Sequence, residues 1–128
     1  MKKTIMVVDD DADILAMVCM LLETNGFRGI PARSGMECLN MLHTGTVPDA
    51  ILLDIMMPEK DGFHICREIK SNYKFKLVTV VMLTAKHHNR DKVDAYKSGA
   101  DGYILKPFDN DALINDLTAY MAVKGNAV

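Results

Sequence analysis

The chain has no long hydrophobic run and no cluster of basic residues. Its longest apolar run, Ile14 to Leu22, has nine residues and is too short to cross a bilayer. The apolar stretch after the basic start is also too short for a signal peptide. A net charge of −2 without a Lys/Arg run gives no reason to expect nucleic-acid binding. We therefore expect a cytoplasmic protein that binds neither membrane nor nucleic acid directly.

Motifs for several kinds of site are also missing. There is no C-x-x-C pair, and Cys19, Cys38 and Cys66 are widely spaced within apolar helical patterns. They are expected to be reduced core thiols, with no disulfide, redox or zinc role. No G-x-x-x-x-G-K-[ST] loop is present, which excludes a nucleotide-phosphate cradle of that type.

What is present is a fivefold alternation of short apolar runs and longer amphipathic stretches. Strands are predicted at about 3–8, 27–32, 50–53, 77–84 and 101–105, and helices at about 13–24, 34–43, 61–69, 89–98 and 109–121. Strict alternation predicts a parallel sheet with helices on both faces. Pro31 places the second strand at a sheet edge. The fourth helix is mostly polar, with few apolar anchors around Val93. We expect one domain over 1–128, with a frayed tail at 124–128.

Reactive side chains follow four of these strands. Asp9 and Asp10 follow the first, Asp54 the third, Thr84 ends the fourth, and Lys106 follows the fifth. Because sites in open α/β sheets form beyond the carboxyl ends of the strands, these residues can converge on one crevice.

This set of groups suits phosphoryl chemistry. Carboxylates placed close together repel unless a cation lies among them. Oxygen ligands without His or Cys favour Mg²⁺, which needs few protein ligands. The Lys106 ammonium and the Thr84 hydroxyl suit the oxygens of a phosphoryl group, and a carboxylate can accept that group as an acyl phosphate.

The motifs are spread over the whole chain. They are Val7-Val8-Asp9-Asp10, Leu53-Asp54-Ile55-Met56-Met57-Pro58 with Asp61-Gly62, Leu83-Thr84-Ala85, and Gly102-Tyr103-Ile104-Leu105-Lys106-Pro107-Phe108. In this order and spacing the chain resembles a receiver domain of a two-component response regulator. The resemblance implies a flavodoxin-like, doubly wound (βα)5 fold with a five-stranded parallel sheet of order 2-1-3-4-5.

The resemblance also implies a metal site and an acceptor. Asp54 matches the phosphoacceptor, which takes its phosphoryl group from a phosphohistidine of a sensor histidine kinase or phosphotransfer protein. Asp10 matches the direct ligand of Mg²⁺ (or Mn²⁺), and Asp9 matches its water-bridged helper. Asp54 and the backbone carbonyl of Met56 complete the implied metal set. Such a protein catalyses only its own phosphorylation and dephosphorylation and is not a turnover enzyme.

Other positions match the readout of phosphorylation. Thr84 and Lys106 resemble the partners of the phosphoryl oxygens, and Tyr103 resembles the aromatic switch residue, which rotates inward as Thr84 moves toward the phosphate. Lys106-Pro107 matches the family's cis peptide. The surface that switches is implied to be the fourth helix, the fifth strand and the fifth helix.

Two further positions are implied to tune the lifetime of the phosphorylated state. Met56 and Lys86 lie two residues after the acceptor and two after Thr84, where they flank the path of the attacking water. Methionine cannot orient water and lysine can cover the phosphate, so slow self-dephosphorylation is expected.

The output is left open between a downstream protein partner and an effector domain outside this chain. The fifth predicted helix has no Lys or Arg, whereas receivers that dimerise through this face usually carry basic residues there. We therefore expect a monomer or a weak dimer.

Taken one at a time, several of these residues also fit ordinary structural roles. Asp11 and Asp13 fit helix capping. Taken alone, Thr84 fits strand propensity, Lys106 a solvated side chain, and Tyr103 a core aromatic. His87 and His88 are interpreted as a solvated loop near the site and not as metal ligands.

Three rival functions fit the sequence less well. A haloacid-dehalogenase-type phosphatase needs a second aspartate where Met56 stands. A flavin carrier of flavodoxin type needs a Ser/Thr/Gly-rich loop where this chain has three aspartates. A purely structural interaction domain does not explain the full phosphorylation set.

Overall fold

A computed structural model describes residues 2–57, 61–85 and 89–123, without the side chains of 84 and 89–92. The predicted tail at 124–128 lies outside the described residues. The elements are β1 (Thr4–Val8), α1 (Ala12–Thr24), β2 (Arg28–Ala32), α2 (Gly35–His43), β3 (Ala50–Leu53), α3 (Gly62–Ser71), a 3-10 turn (Tyr73–Phe75), β4 (Thr79–Thr84), α4 (Asn89–Lys97), β5 (Gly102–Leu105) and α5 (Asn110–Val123).

The five strands form one parallel sheet in the order β2-β1-β3-β4-β5. This confirms the predicted fold class and strand order. Pro31 lies in the edge strand β2, as predicted. The central strand β3 is buried along its whole length, because helices cover both faces of a parallel sheet.

Two hydrophobic clusters, one on each face, hold the helices to the sheet. Strand residues alternate between them: Met6 and Val8 belong to one cluster, and Ile5 and Val7 to the other. Successive side chains of a strand point to opposite faces, so each strand anchors both layers. The backbone of the first residue after each strand is thereby fixed at one edge of the sheet.

Two local expectations differ from the structure. The apolar run predicts Leu77 in the fourth strand, but Leu77 is exposed and the strand begins at Thr79. The preceding 3-10 turn buries Phe75, and the Val78 amide donates to the Phe75 carbonyl, so a tight turn occupies this stretch. In α4 the buried anchor is Ala95, whereas Val93 is half exposed.

All three cysteines are free thiols. Cys38 and Cys66 are buried and Cys19 is half-buried. Burial raises the pKa of the Cys38 thiol to about 12, so this side chain acts as a small core hydrophobe.

No helix within 2–57, 61–85 and 89–123 is both long and apolar enough to span a membrane.

Candidate functional site

The site begins with two aspartates that directly follow adjacent strands. The Asp9 amide donates to the Ala32 carbonyl at 3.1 Å, and the Asp54 amide donates to the Val8 carbonyl at 3.0 Å. Each backbone is thus held by its neighbouring strand one residue beyond the end of its own strand. The side chains are buried, with Asp9 2% and Asp54 8% exposed.

Asp9, Asp10 and Asp54 form a carboxylate cluster. One oxygen from each lies within 4.8 Å of the others. Asp10 is exposed, so the cluster opens to solvent on its side. An all-oxygen donor set with one open side fits a hard divalent cation that keeps several water ligands, which is the preference of Mg²⁺. The three aspartates of the implied metal set therefore lie together.

Lys106 supplies the positive charge of the cluster. Its Nζ lies 2.9 Å from Asp9 Oδ2 and 3.8 Å from Asp54 Oδ2. It follows β5 directly, and the Lys106-Pro107 peptide bond is cis, as expected. Lys106 is therefore bonded to Asp9 and only near Asp54, a division that the sequence does not reveal.

The loop after Asp54 is held by backbone hydrogen bonds. The Met56 amide donates to Asp54 Oδ1 at 3.1 Å, and the Gly62 amide donates to the Ile55 carbonyl at 2.9 Å. A Cβ at Gly62 would lie 2.5 Å from the Asp54 carbonyl oxygen, so only glycine permits this approach. Sequence reasoning placed Gly62 at a helix start but missed this contact.

The first turn of α1 borders the site. Asp11 caps α1 by accepting from the Asp13 and Ile14 amides, which confirms the capping interpretation of Asp11. The Asp11 amide in turn donates to Asp9 Oδ1 at 2.9 Å. Both oxygens of the Asp9 carboxylate are thus engaged, since Lys106 occupies Oδ2.

The electrostatics of the site raise the pKa of Asp54. The net pKa is about 6, compared with an ordinary 3.8; burial is the largest cause of the increase, and the charges of Asp9 and Asp10 add to it. The Lys106 ammonium and the Met56 amide act in the opposite direction. Ionisation of the Asp54 carboxyl is therefore unfavourable in the absence of a cation.

This raised pKa predicts a pH-dependent stability in metal-free buffer. Between pH 3.8 and about 6 the folded protein binds the Asp54 proton more tightly than the unfolded chain, so stability falls as pH rises. Asp54→Asn removes the charge, and its free energy of unfolding should exceed that of wild type by up to about 3 kcal/mol above pH 6. Urea unfolding in EDTA at stepped pH measures this difference, and a constant difference from pH 4 to 8 would contradict the assigned cause.

The remaining predicted site residues lie in different positions. Thr84 is the last residue of β4 and pairs in register with Leu105, so its backbone lies beside the residue preceding Lys106. Tyr103 lies in β5 and is 8% exposed, packed into a core cluster, so the structure holds it inward. Lys86, His87 and His88 lie outside the described residues.

Comparison with known proteins settles the family. The family model for the response regulator receiver domain matches residues 5–118 of this sequence. The chain belongs to this family. The receiver is 39% identical over 121 residues to the phosphate regulon transcriptional regulatory protein PhoB of Escherichia coli, covering 94% of this chain and 52% of PhoB. The receiver thus spans about half the length of that relative.

Solved structures agree with the receiver fold. The Vibrio cholerae chemotaxis protein CheY4 superposes with a TM-score of 0.88 at 27% identity, covering 94% of this receiver and 99% of CheY4. The response regulator DrrB of Thermotoga maritima superposes with a TM-score of 0.84 at 29% identity, covering 97% of this receiver and 54% of DrrB.

Proposed function

We propose that Asp54 accepts a phosphoryl group from a phosphohistidine of a sensor histidine kinase or phosphotransfer protein. The observation that carries this proposal is the buried Asp54 carboxylate, which lies between two other carboxylates and an ammonium at the carboxyl edge of the sheet. A carboxylate held in this way is oriented as a nucleophile toward the open side of the site.

In the proposed transfer, Asp54 Oδ2 forms a bond to phosphorus while the phosphorus–nitrogen bond of the phosphohistidine breaks. The Met56 amide holds Oδ1 and so leaves Oδ2 to react. Lys106, 3.8 Å from Oδ2, is placed to donate to an oxygen of the transferring group. Asp9, Asp10, Asp54 and the Met56 carbonyl would hold Mg²⁺ (or Mn²⁺), which when bound neutralises charge on the phosphoryl oxygens.

We further propose that phosphorylation switches the surface formed by α4, β5 and α5. Thr84 would bind the new phosphoryl group, and the balance between the orientations of Tyr103 would change with it. Tyr103 is buried in the described structure, so the proposal requires a second orientation of this side chain. Phosphorylation thus acts as a population shift between two arrangements.

The partners follow from this role. We propose a cytoplasmic protein that is a monomer or weak dimer, read by a downstream protein or by an effector domain beyond the present chain. The length of the relative PhoB, about twice the matched region, supports the second arrangement. On this proposal the chain catalyses only its own phosphorylation and dephosphorylation and does not turn over a substrate.

Phosphorylation should require a divalent cation. Incubation with acetyl phosphate and Mg²⁺ should add the mass of one phosphoryl group to the intact protein, and EDTA should prevent the addition, because the carboxylate cluster would otherwise repel the donor. Intact-protein mass spectrometry measures the labelling in Mg²⁺ and in EDTA. Equal labelling with and without the cation would contradict the proposed metal role.

The phosphorylated state should be long-lived. The Met56 side chain is 63% exposed beside the acceptor and cannot orient a water molecule. Met56→Asn and Lys86→Glu should each speed loss of the phosphoryl group several-fold by supplying polar groups for the attacking water. Decay after removal of acetyl phosphate can be followed by mass. Met20→Asn, an exposed change on α1, is the control, and unchanged decay in the first two variants would exclude the tuning role.

A further inference from the structure

Two consecutive methionines after the acceptor have opposite environments. Met57 is 8% exposed and belongs to a core cluster, whereas Met56 is 63% exposed. The Met56 amide donates to Asp54 Oδ1 at 3.1 Å, so the exposed thioether is carried by a residue that contacts the acceptor directly. The Met56 side chain therefore combines access from solvent with a fixed attachment beside Asp54.

An exposed thioether can be oxidised by a peroxide. The sulfur lone pair attacks one oxygen of hydrogen peroxide, the oxygen–oxygen bond breaks, and the second oxygen leaves as water with both protons. The sulfur loses two electrons and the peroxide gains them. The product, methionine sulfoxide, is polar, and methionine sulfoxide reductases convert it back to methionine. This reversible modification is accessible at Met56, whereas burial protects Met57.

The thiols of the chain are poor competitors for the peroxide. Peroxide oxidises thiolates, which form only above the pKa of the thiol. Burial raises the pKa of the Cys19, Cys38 and Cys66 thiols above the ordinary value, so all three are protonated near neutral pH. A thioether has no proton to lose, so the reaction of Met56 does not depend on ionisation of its sulfur.

We propose that Met56 is a site of reversible oxidation by peroxide, and that its sulfoxide shortens the lifetime of the phosphoryl group on Asp54. A thioether is a weak hydrogen-bond acceptor, whereas the sulfoxide oxygen is a strong one and holds a water molecule beside the acyl phosphate. Oxidation thus supplies the polar group that the methionine lacks. This inference rests on the proposed function, and it adds a chemical signal that acts on the phosphorylated state.

The test compares the decay of the phosphorylated protein with and without prior oxidation. The protein is treated with hydrogen peroxide, the peroxide is removed by gel filtration, and acetyl phosphate with Mg²⁺ then labels the protein. Intact-protein mass follows the loss of the phosphoryl group, and peptide mass spectrometry locates each sulfoxide. The oxidised protein should lose the group about fivefold faster, which is the effect of one hydrogen bond to the attacking water. Methionine sulfoxide reductase should restore the slow decay.

Two variants separate Met56 from the other exposed methionines. Met20 is 70% exposed and lies about two turns from the start of α1, so it is open to the same oxidant. Met20→Leu should keep the full acceleration after peroxide, whereas Met56→Leu should decay at the same rate before and after treatment. Equal acceleration in Met56→Leu would overturn the inference, and so would unchanged decay of wild type that carries Met56 sulfoxide.

Failure of this inference can be told apart from failure of the proposed function. If untreated wild type is labelled at Asp54 and peroxide leaves its decay unchanged, only the oxidation role is lost. If untreated wild type is not labelled, the proposed acceptor is wrong. The order of oxidation needs no phosphoryl group and still decides the modification site: Met56 should be oxidised well before Met57, and the reverse order would contradict it.

Discussion

Asp54→Asn should abolish phosphorylation by acetyl phosphate, with a loss of about two orders of magnitude or more in labelling. The amide lacks the nucleophilic oxygen, and the neighbouring carboxylates are poor substitutes. Asp9 is 2% exposed and has both oxygens engaged, by Lys106 and by the Asp11 amide. The measurement is the mass of the intact protein after incubation with acetyl phosphate and Mg²⁺.

Asp11→Asn is the matched control for this change. Asp11 is an exposed helix cap two residues from Asp9, and asparagine caps a helix about as well as aspartate. Its labelling should match that of wild type. Because Asp54→Asn is also expected to stabilise the metal-free protein, unfolding cannot explain its loss of labelling. Full labelling of Asp54→Asn would transfer the acceptor role to another residue.

Lys106→Met should destabilise the metal-free protein by about 3 kcal/mol, because it leaves the buried Asp9 carboxylate without its charged partner. The Lys106 Nζ lies 2.9 Å from Asp9 Oδ2, and both side chains are largely buried. The same change should slow labelling by acetyl phosphate about tenfold or more, since it removes a donor to the phosphoryl oxygens. Urea unfolding in EDTA and the initial rate of labelling measure the two effects.

A double variant separates the charge pair from simple loss of packing. Asp9→Asn combined with Lys106→Met removes both charges, and it should recover most of the stability lost in Lys106→Met. Mg²⁺ should also restore stability to Lys106→Met by binding the carboxylates that Lys106 no longer neutralises. A Lys106→Met protein as stable as wild type in EDTA would show that Asp9 does not depend on this partner.

The sequence is sufficient to predict the parallel sheet and the edge of that sheet at which the site lies. Runs such as 50–53 have no polar residue and fit only a strand buried on both faces, and strict alternation with helices makes the sheet parallel. The convergence of Asp9, Asp54 and Lys106 follows from that topology alone. Strand order came from the resemblance to receivers, and the structure confirms it.

The finer features depend on distances that no local pattern encodes. Lys106 Nζ lies 2.9 Å from Asp9 Oδ2 but 3.8 Å from Asp54 Oδ2, and no sequence pattern distinguishes the two carboxylates. The fit of Gly62 against the Asp54 carbonyl requires the packing of α3 on the loop after β3. The contact of Tyr120 with Gly102 joins elements 18 residues apart in number, and neither residue alone signals it. The prediction for Leu77 is wrong because a run of apolar residues does not show where a turn ends and a strand begins.

The most direct test of the account is to locate the phosphoryl group. Borohydride reduces an aspartyl phosphate to homoserine, which peptide mass spectrometry identifies by position. After incubation with acetyl phosphate and Mg²⁺, the account predicts homoserine at residue 54 and unmodified aspartate at Asp9 and Asp10. Homoserine at either of those residues, with Asp54 intact, would contradict it.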